Sequence, residues 1–129
     1  EIKVDEALVA VHDGVRPFVS VKTIADTFVE AEKSGAAVPV IECVDSVREV
    51  DNVSKESFAR ERAALRLVQT PQTFRLSILR KAYSLPYTPF FTDDASVVEA
   101  VGEKIVLTSG NRENIKITTS FDLKIAEVL

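Results

Sequence analysis

Ten consecutive residues constrain the fold of this chain more than any others: Leu8-Val9-Ala10-Val11-His12-Asp13-Gly14-Val15-Arg16-Pro17. An unbroken apolar stretch stops abruptly at an acid, a glycine, an arginine and a proline. Such a run, bounded by turn residues, suits a strand buried on both faces of a parallel sheet. In open α/β sheets ligands bind just beyond the carboxyl ends of such strands, so Asp13 and Arg16 fall where chemistry is expected.

The rest of the chain reads as the same class. Ser20 is an N-cap for a helix carrying Val21, Ile24, Ala25, Phe28 and Val29 at helical spacing, with Gly35 as its stop. Ala36 to Ile41 reads as a second strand, which Pro39 pushes toward an edge or a bulge. Residues 42–69 are charged and follow no clear period, although Val44, Ser46, Arg48 and Val50 alternate. This stretch is expected to be a two-stranded arm projecting from the domain and ending at the turn Thr70-Pro71-Gln72, since loops this long are uncommon and usually have a role. Leu76, Leu79 and Tyr83 give a short amphipathic helix. Thr92 caps another, with Asp93 and Asp94 in its first turn and Gly102 at its end. Ile105-Val106-Leu107 is a further buried strand, and Ile115-Lys116-Ile117-Thr118 alternates like a half-buried one. Thr119 and Asp122 resemble a capping box for a closing helix with Phe121, Ile125, Val128 and Leu129 on one face. Strands alternating with helices predict an α/β sandwich with mainly parallel strands, one domain over 1–129 with 42–69 as its arm.

Composition narrows the function classes. A chain of 129 residues, 46% hydrophobic and 28% charged, has the make-up of a soluble globular domain. A net charge of −4 argues against a general nucleic-acid binder, which usually carries a basic face. The single cysteine, Cys43, rules out an internal disulfide framework and fits a reducing compartment. No stretch approaches the length of a membrane span and no signal peptide opens the chain, so a cytoplasmic location is expected.

Several residues are candidates for chemistry, each beside a plainer reading. Asp13 could hold a divalent cation or accept hydrogen bonds from sugar hydroxyls, or simply cap the Asp-Gly turn. Arg16, held by Pro17, could pair with a phosphate, a carboxylate or a neighbouring acid. His12, the only histidine, reads as structural. Thr92-Asp93-Asp94-Ala95-Ser96 offers hydroxyls and backbone N–H groups at a helix start, suited to an anion or polyol and equally to capping. Lys116 is delivered from a polar turn onto a strand, where a solvent-facing lysine is the plain alternative. Arg60, Arg62 and Arg66 could form a solvated face or a phosphate clamp. Cys43 has no histidine near it in sequence, which disfavours a thiol nucleophile.

Four motifs taken in order are more specific than any one. Val11-His12-Asp13-Gly14-Val15-Arg16-Pro17, Gln69-Thr70-Pro71-Gln72-Thr73-Phe74, Thr92-Asp93-Asp94-Ala95-Ser96 and Asn114-Ile115-Lys116-Ile117-Thr118 together resemble the 2-C-methyl-D-erythritol 4-phosphate cytidylyltransferases. The resemblance covers almost the whole chain. It implies a Rossmann-like nucleotidyltransferase fold, a homodimer, and transfer of CMP from CTP to methylerythritol phosphate with Mg²⁺ present and pyrophosphate released. Carried over by motif, Asp13, Arg16 and Thr92 match contacts to the methylerythritol, and Thr70 matches a threonine beside its phosphate. Arg62 and Lys116 match the basic pair that positions that phosphate. Asp45-Ser46 matches an Asp-Thr pair on the arm, with serine a conservative departure. In that family the arm embraces the second subunit, so Arg62 and Ser46 would serve the partner's site.

One feature of the family is missing from the sequence. Its glycine-rich, Arg- and Lys-bearing loop, which cradles the CTP triphosphate, has no counterpart among the four glycines here. The resemblance is therefore to the C-terminal portion of the enzyme, and these residues alone are expected to bind CTP poorly and turn over negligibly. Ribitol-5-phosphate cytidylyltransferase shares the Asp-x-x-Arg-Pro and Asn-Ile-Lys motifs but departs at Thr-Asp-Asp-Ala-Ser. A non-catalytic dimerisation module is the alternative from another class.

Overall fold

A serine and a glycine set the limits of the first helix, as their chemistry requires. The computed structural model describes residues 6–129. Ser20 adopts extended backbone and its side chain accepts from the Thr23 N–H, opening α1 (Val21–Ser34). Gly35, at φ 92°, closes it by donating its N–H to Ala31 O at 2.8 Å. The face that α1 buries differs from the expected one. Thr23, Thr27 and Ala31 are buried, whereas Val21 is 82% exposed and Val29 lies in solvent. Small residues bring the helix close to the sheet, and the threonine hydroxyls find partners there: Thr27 Oγ1 meets Thr73 Oγ1 at 2.9 Å.

The other elements are β1 (Leu8–Val11), β2 (Ala36–Glu42), β3 (Val47–Val50), β4 (Ser57–Arg60), β5 (Arg66–Val68), β6 (Gln72–Arg75), α2 (Leu76–Ala82), α3 (Asp94–Ala100), β7 (Val106–Ser109) and α4 (Ser120–Val128). The chain has the expected α/β fold, with a mixed sheet. β1, β2 and β7 run in one direction, while β6 lies antiparallel between β1 and β2, and β5 pairs antiparallel with β2. α1 covers one face of this sheet. On the other, Ala36 and Phe74 pack with Ala82, Val97 and Val98 of α2 and α3.

β2 is the central strand, not an edge, despite Pro39. Ala37 pairs with Thr73 on one side and Val106 on the other, and Val40 likewise pairs with Val68 and Ser109. On the first side the neighbour changes from β6 to β5 beside Pro39. The Pro39 carbonyl faces that break, accepting from Gln69 N–H at 2.9 Å. In a strand a residue's N–H and C=O point the same way, so the missing donor of Pro39 faces a place where no ladder runs. The chain crosses the break through a cis Thr70–Pro71 bond.

β1 also departs from expectation. All four of its residues are half-buried, and β6 is its only hydrogen-bonded neighbour among the described residues. Thr92 does not cap α3. Asp93 does, its side chain accepting from Ser96 N while Ser96 bonds back. The last strand falls at Val106–Ser109 and is half-buried, and 115–118 is extended chain outside the sheet, held by Ile117 N–H on Val15 O at 2.9 Å. The Thr119–Asp122 capping box of α4 is present. The apolar face of α4 is open, however, with Phe121 68% and Val128 86% exposed.

The arm leaves the sheet after β2 and returns as β5. Between them β3 and β4 form a separate two-stranded sheet, Val47 opposite Arg60 and Val50 opposite Ser57. Asp51 Oδ1 accepts from Val53 and Ser54 N–H at 2.8 and 3.1 Å, which holds the connecting turn. Glu49 and Arg60 form an ion pair across the two strands. Val44, Val53 and Phe58 on the arm are exposed.

Candidate functional site

The turn that ends β1 forms one wall of a cleft. Arg16 N–H bonds Asp13 O at 3.1 Å, closing the turn, and Arg16 Nε lies 3.0 Å from Asp13 Oδ2. Arg16 Nη1 donates to the Asn114 carbonyl at 2.7 Å, joining the turn to the 110–118 segment. Lys116 reaches the same Asp13 Oδ2 at 3.9 Å. One carboxylate oxygen of Asp13 therefore faces two cations, Arg16 closely and Lys116 at longer range.

A second set of bonds holds the opposite wall. Asn114 is fully buried and donates Nδ2 to Thr70 O at 2.9 Å and Gln69 Oε1 at 3.1 Å. Gln69 in turn grips Asn111, giving Nε2 to its carbonyl at 2.9 Å and taking its N–H at 3.2 Å. Gln72 Oε1 accepts from Ala95 N–H at 3.0 Å and Gln72 Nε2 donates to Asp93 Oδ2 at 3.1 Å, so it fixes the start of α3. Thr70 Oγ1 accepts from Asp13 N–H at 3.0 Å and meets His12 Nδ1 at 2.9 Å.

The result is an open cavity of about 370 Å³ lined by Asp13, Arg16, Gln69, Thr70, Gln72, Thr92, Asp93, Asp94 and Lys116, among others. Five of the seven expected site residues meet there: Asp13, Arg16, Thr70, Thr92 and Lys116. Arg62 and Ser46 do not. Arg62 lines a different cavity with Glu42 and Arg66, its Nη1 donating to Val44 O at 2.7 Å, and Ser46 is exposed on the arm. An apolar cavity of about 270 Å³, walled by Tyr83, Leu85, Tyr87 and Phe91, shares the Thr92–Asp94 rim. There burial, reinforced by a hydrogen bond to Asp94, pushes the Tyr83 hydroxyl up to about 12, so it stays protonated and donating.

Sequence reasoning assigned no task to Gln69, Gln72 or Asn114. All three amides are buried, and buried polar groups are kept only where they are hydrogen-bonded. No three His, Cys, Asp or Glu side chains converge as a metal site among the described residues.

A family model described as IspD, 2-C-methyl-D-erythritol 4-phosphate cytidylyltransferase, matches residues 1–129. The chain belongs to this family. The 2-C-methyl-D-erythritol 4-phosphate cytidylyltransferase of Phocaeicola vulgatus is 54% identical over 124 residues, covering 96% of this chain and 56% of the relative. That of Bacteroides fragilis is 53% identical over 122 residues, covering 95% and 55%. The chain thus spans a little over half the length of the curated relatives it matches. Among solved structures, the enzyme of the same name from Thermus thermophilus superposes with a TM-score of 0.81 at 38% identity, covering 94% of this chain and 60% of that one. The Francisella tularensis enzyme gives 0.84 at 32%, covering 98% and 60%. No helix among the described residues is long and apolar enough to cross a membrane.

Proposed function

We propose that this chain forms the sugar-alcohol phosphate side of a cytidylyltransferase site, where CMP passes from CTP to 2-C-methyl-D-erythritol 4-phosphate. The observation that carries this reading is the meeting of Asp13, Arg16, Thr70, Thr92 and Lys116 in one cleft of a chain from this family. Asp13, Arg16 and Thr92 would contact the polyol hydroxyls, and Thr70 and Lys116 the phosphate. In the reaction a phosphate oxygen of the acceptor attacks the α-phosphorus of CTP. The bond to the bridging oxygen breaks and pyrophosphate leaves. Such a transfer needs positioning and positive charge more than an acid–base pair, and Lys116 supplies the charge from within the cleft.

Arg62 would supply the second cation from the arm of another copy, with Ser46 beside it, in a cytoplasmic homodimer. The exposed Val44, Val53 and Phe58 support an arm that packs on something. A divalent cation such as Mg²⁺ would arrive on the CTP phosphates. The glycines described here turn chains or end helices, and none opens a phosphate cradle. Residues 1–129 alone should therefore turn over negligibly.

The test is steady-state turnover of the full-length protein with CTP and methylerythritol phosphate, with ribitol 5-phosphate alongside. Lys116→Ala should cut kcat by about 100-fold or more, since it removes charge stabilisation aimed at the reacting phosphates. Unchanged activity would sink the assignment.

A further inference from the structure

We infer that His12 decides what Thr70 can offer a ligand, and that a phosphate bound at Thr70 draws a proton onto the His12 ring. The inference rests on the reading of this cleft as a phosphate site. Both ring nitrogens have partners. Nε2 lies 2.9 Å from the Arg16 carbonyl oxygen and Nδ1 lies 2.9 Å from Thr70 Oγ1. A carbonyl oxygen only accepts, so Nε2 carries a hydrogen.

The rest follows from the capacity of a hydroxyl, which has one hydrogen and two lone pairs. Thr70 Oγ1 already accepts from Asp13 N–H at 3.0 Å. When the ring is neutral, Nδ1 presents a lone pair and the Thr70 hydrogen points to it. Thr70 then faces the cleft with a single lone pair. That suits a substrate hydroxyl and repels a phosphate oxygen. When the ring carries a second hydrogen, Nδ1–H donates to Thr70 Oγ1. Both lone pairs are then occupied, and the Thr70 hydrogen is released toward the cleft as a phosphate donor. The proton comes from solvent, forms the Nδ1–H bond, and leaves on ligand release. It also adds positive charge beside a dianion.

The charged groups of the adjoining cleft are already paired among themselves. On the turn that carries His12 are Asp13 and Arg16, and from the 110–118 segment comes Lys116. Asp13 Oδ2 is already matched by Arg16 Nε at 3.0 Å and Lys116 Nζ at 3.9 Å. The cleft is also lined by Asp93, the N-cap of α3, and Asp94 in its first turn. Asp93 is held by Ser96 N–H and Gln72, and Asp94 by Tyr83. Each of these carboxylates is already engaged by a partner of its own.

The test is calorimetric titration of the full-length protein with 2-C-methyl-D-erythritol 4-phosphate at about pH 8, where the free ligand is already a dianion. Buffers of different ionisation enthalpy give the protons taken up per site. The native protein should take up a large fraction of one proton, and its affinity should fall as pH rises, approaching tenfold per unit. His12→Asn, which keeps a polar group near Nδ1 but cannot titrate, should bind with no uptake. Thr70→Val, which keeps His12 but breaks the link, should lose the uptake as well. Nitrogen-15 spectra of the histidine should show both ring nitrogens protonated only in the native complex. Tight binding without His12-dependent uptake, or a neutral ring in the complex, overturns the inference and leaves the proposed function standing. Failure of the native protein to bind the ligand overturns both.

Discussion

Asn114 stands at the junction of both walls of the cleft, and its amide has only one workable orientation. Its Nδ2 faces Thr70 O and Gln69 Oε1, two acceptors, so the side chain must donate there. Asn114→Ala leaves a buried carbonyl without its donor and should cost about 2 kcal/mol in urea denaturation. Asn114→Asp replaces a donor by a carboxylate against two oxygens and should cost more. An aspartate as stable as the native residue would contradict the orientation. Residue by residue, the cleft was only partly legible. Asp13, Arg16, Thr70, Thr92 and Lys116 were found because they sit at strand ends and in motifs. Gln69, Gln72 and Asn114 were not assigned roles, because their function is to bond to backbone far away in sequence. Gln72, for example, serves Ala95 across 23 positions. His12 was set aside because a lone histidine carries no signal until both its nitrogens have neighbours.

Elements were legible where a local rule decides them. Ser20, Gly35 and the Thr119–Asp122 pair set helix limits through bonds to residues within one turn. Gly35→Ala would force a side chain into positive φ and bring its Cβ to 2.5 Å from Ile78 Cδ1, so a loss of about 1–3 kcal/mol is expected in thermal or urea melts. In α4 the Thr118 N–H, followed by the Thr119 hydroxyl, holds the Asp122 carboxylate below its ordinary range. The folded form thus favours the ionised group. Its support is fully present above pH about 4 and lost as pH falls below that. The protection of α4 amides, corrected for intrinsic exchange, should fall on acidification through this range, and Asp122→Asn should remove that pH dependence of protection. Where neighbours decide, the sequence misled. Pro39 sits in a central strand because its missing donor faces a gap, and residues 115–118 alternate like a strand yet pair through a single N–H. The apolar run of β1 promised burial on both faces, but half-burial is what its neighbours among the described residues provide.

For the whole molecule, Arg62 and Lys116 line different cavities of one chain, and this sets the sharpest test of assembly. If the arm acts across a dimer, full-length Arg62→Ala and Lys116→Ala proteins should each be nearly inactive. Their mixed dimer should recover about half of native turnover, because one of its two sites draws an intact Lys116 and an intact Arg62 from different subunits. No recovery would mean that both residues act within one subunit. Deleting residues 45–62 should leave a monomer by sedimentation, and a persistent dimer would count against the arm as the interface. The fold class was legible from the alternation of strands and helices. The mixed strand directions were not, because β6 enters the sheet between β1 and β2 from a part of the sequence that only the return of the arm brings there. That return has a consequence for how such proteins can diverge. The β3–β4 ribbon has its own ladder and shares none with the main sheet. Residues gained or lost in pairs near Val53 would change how far the ribbon extends while β2 and β5 keep their register. The reach of the ribbon can thus drift through evolution without retuning the cleft.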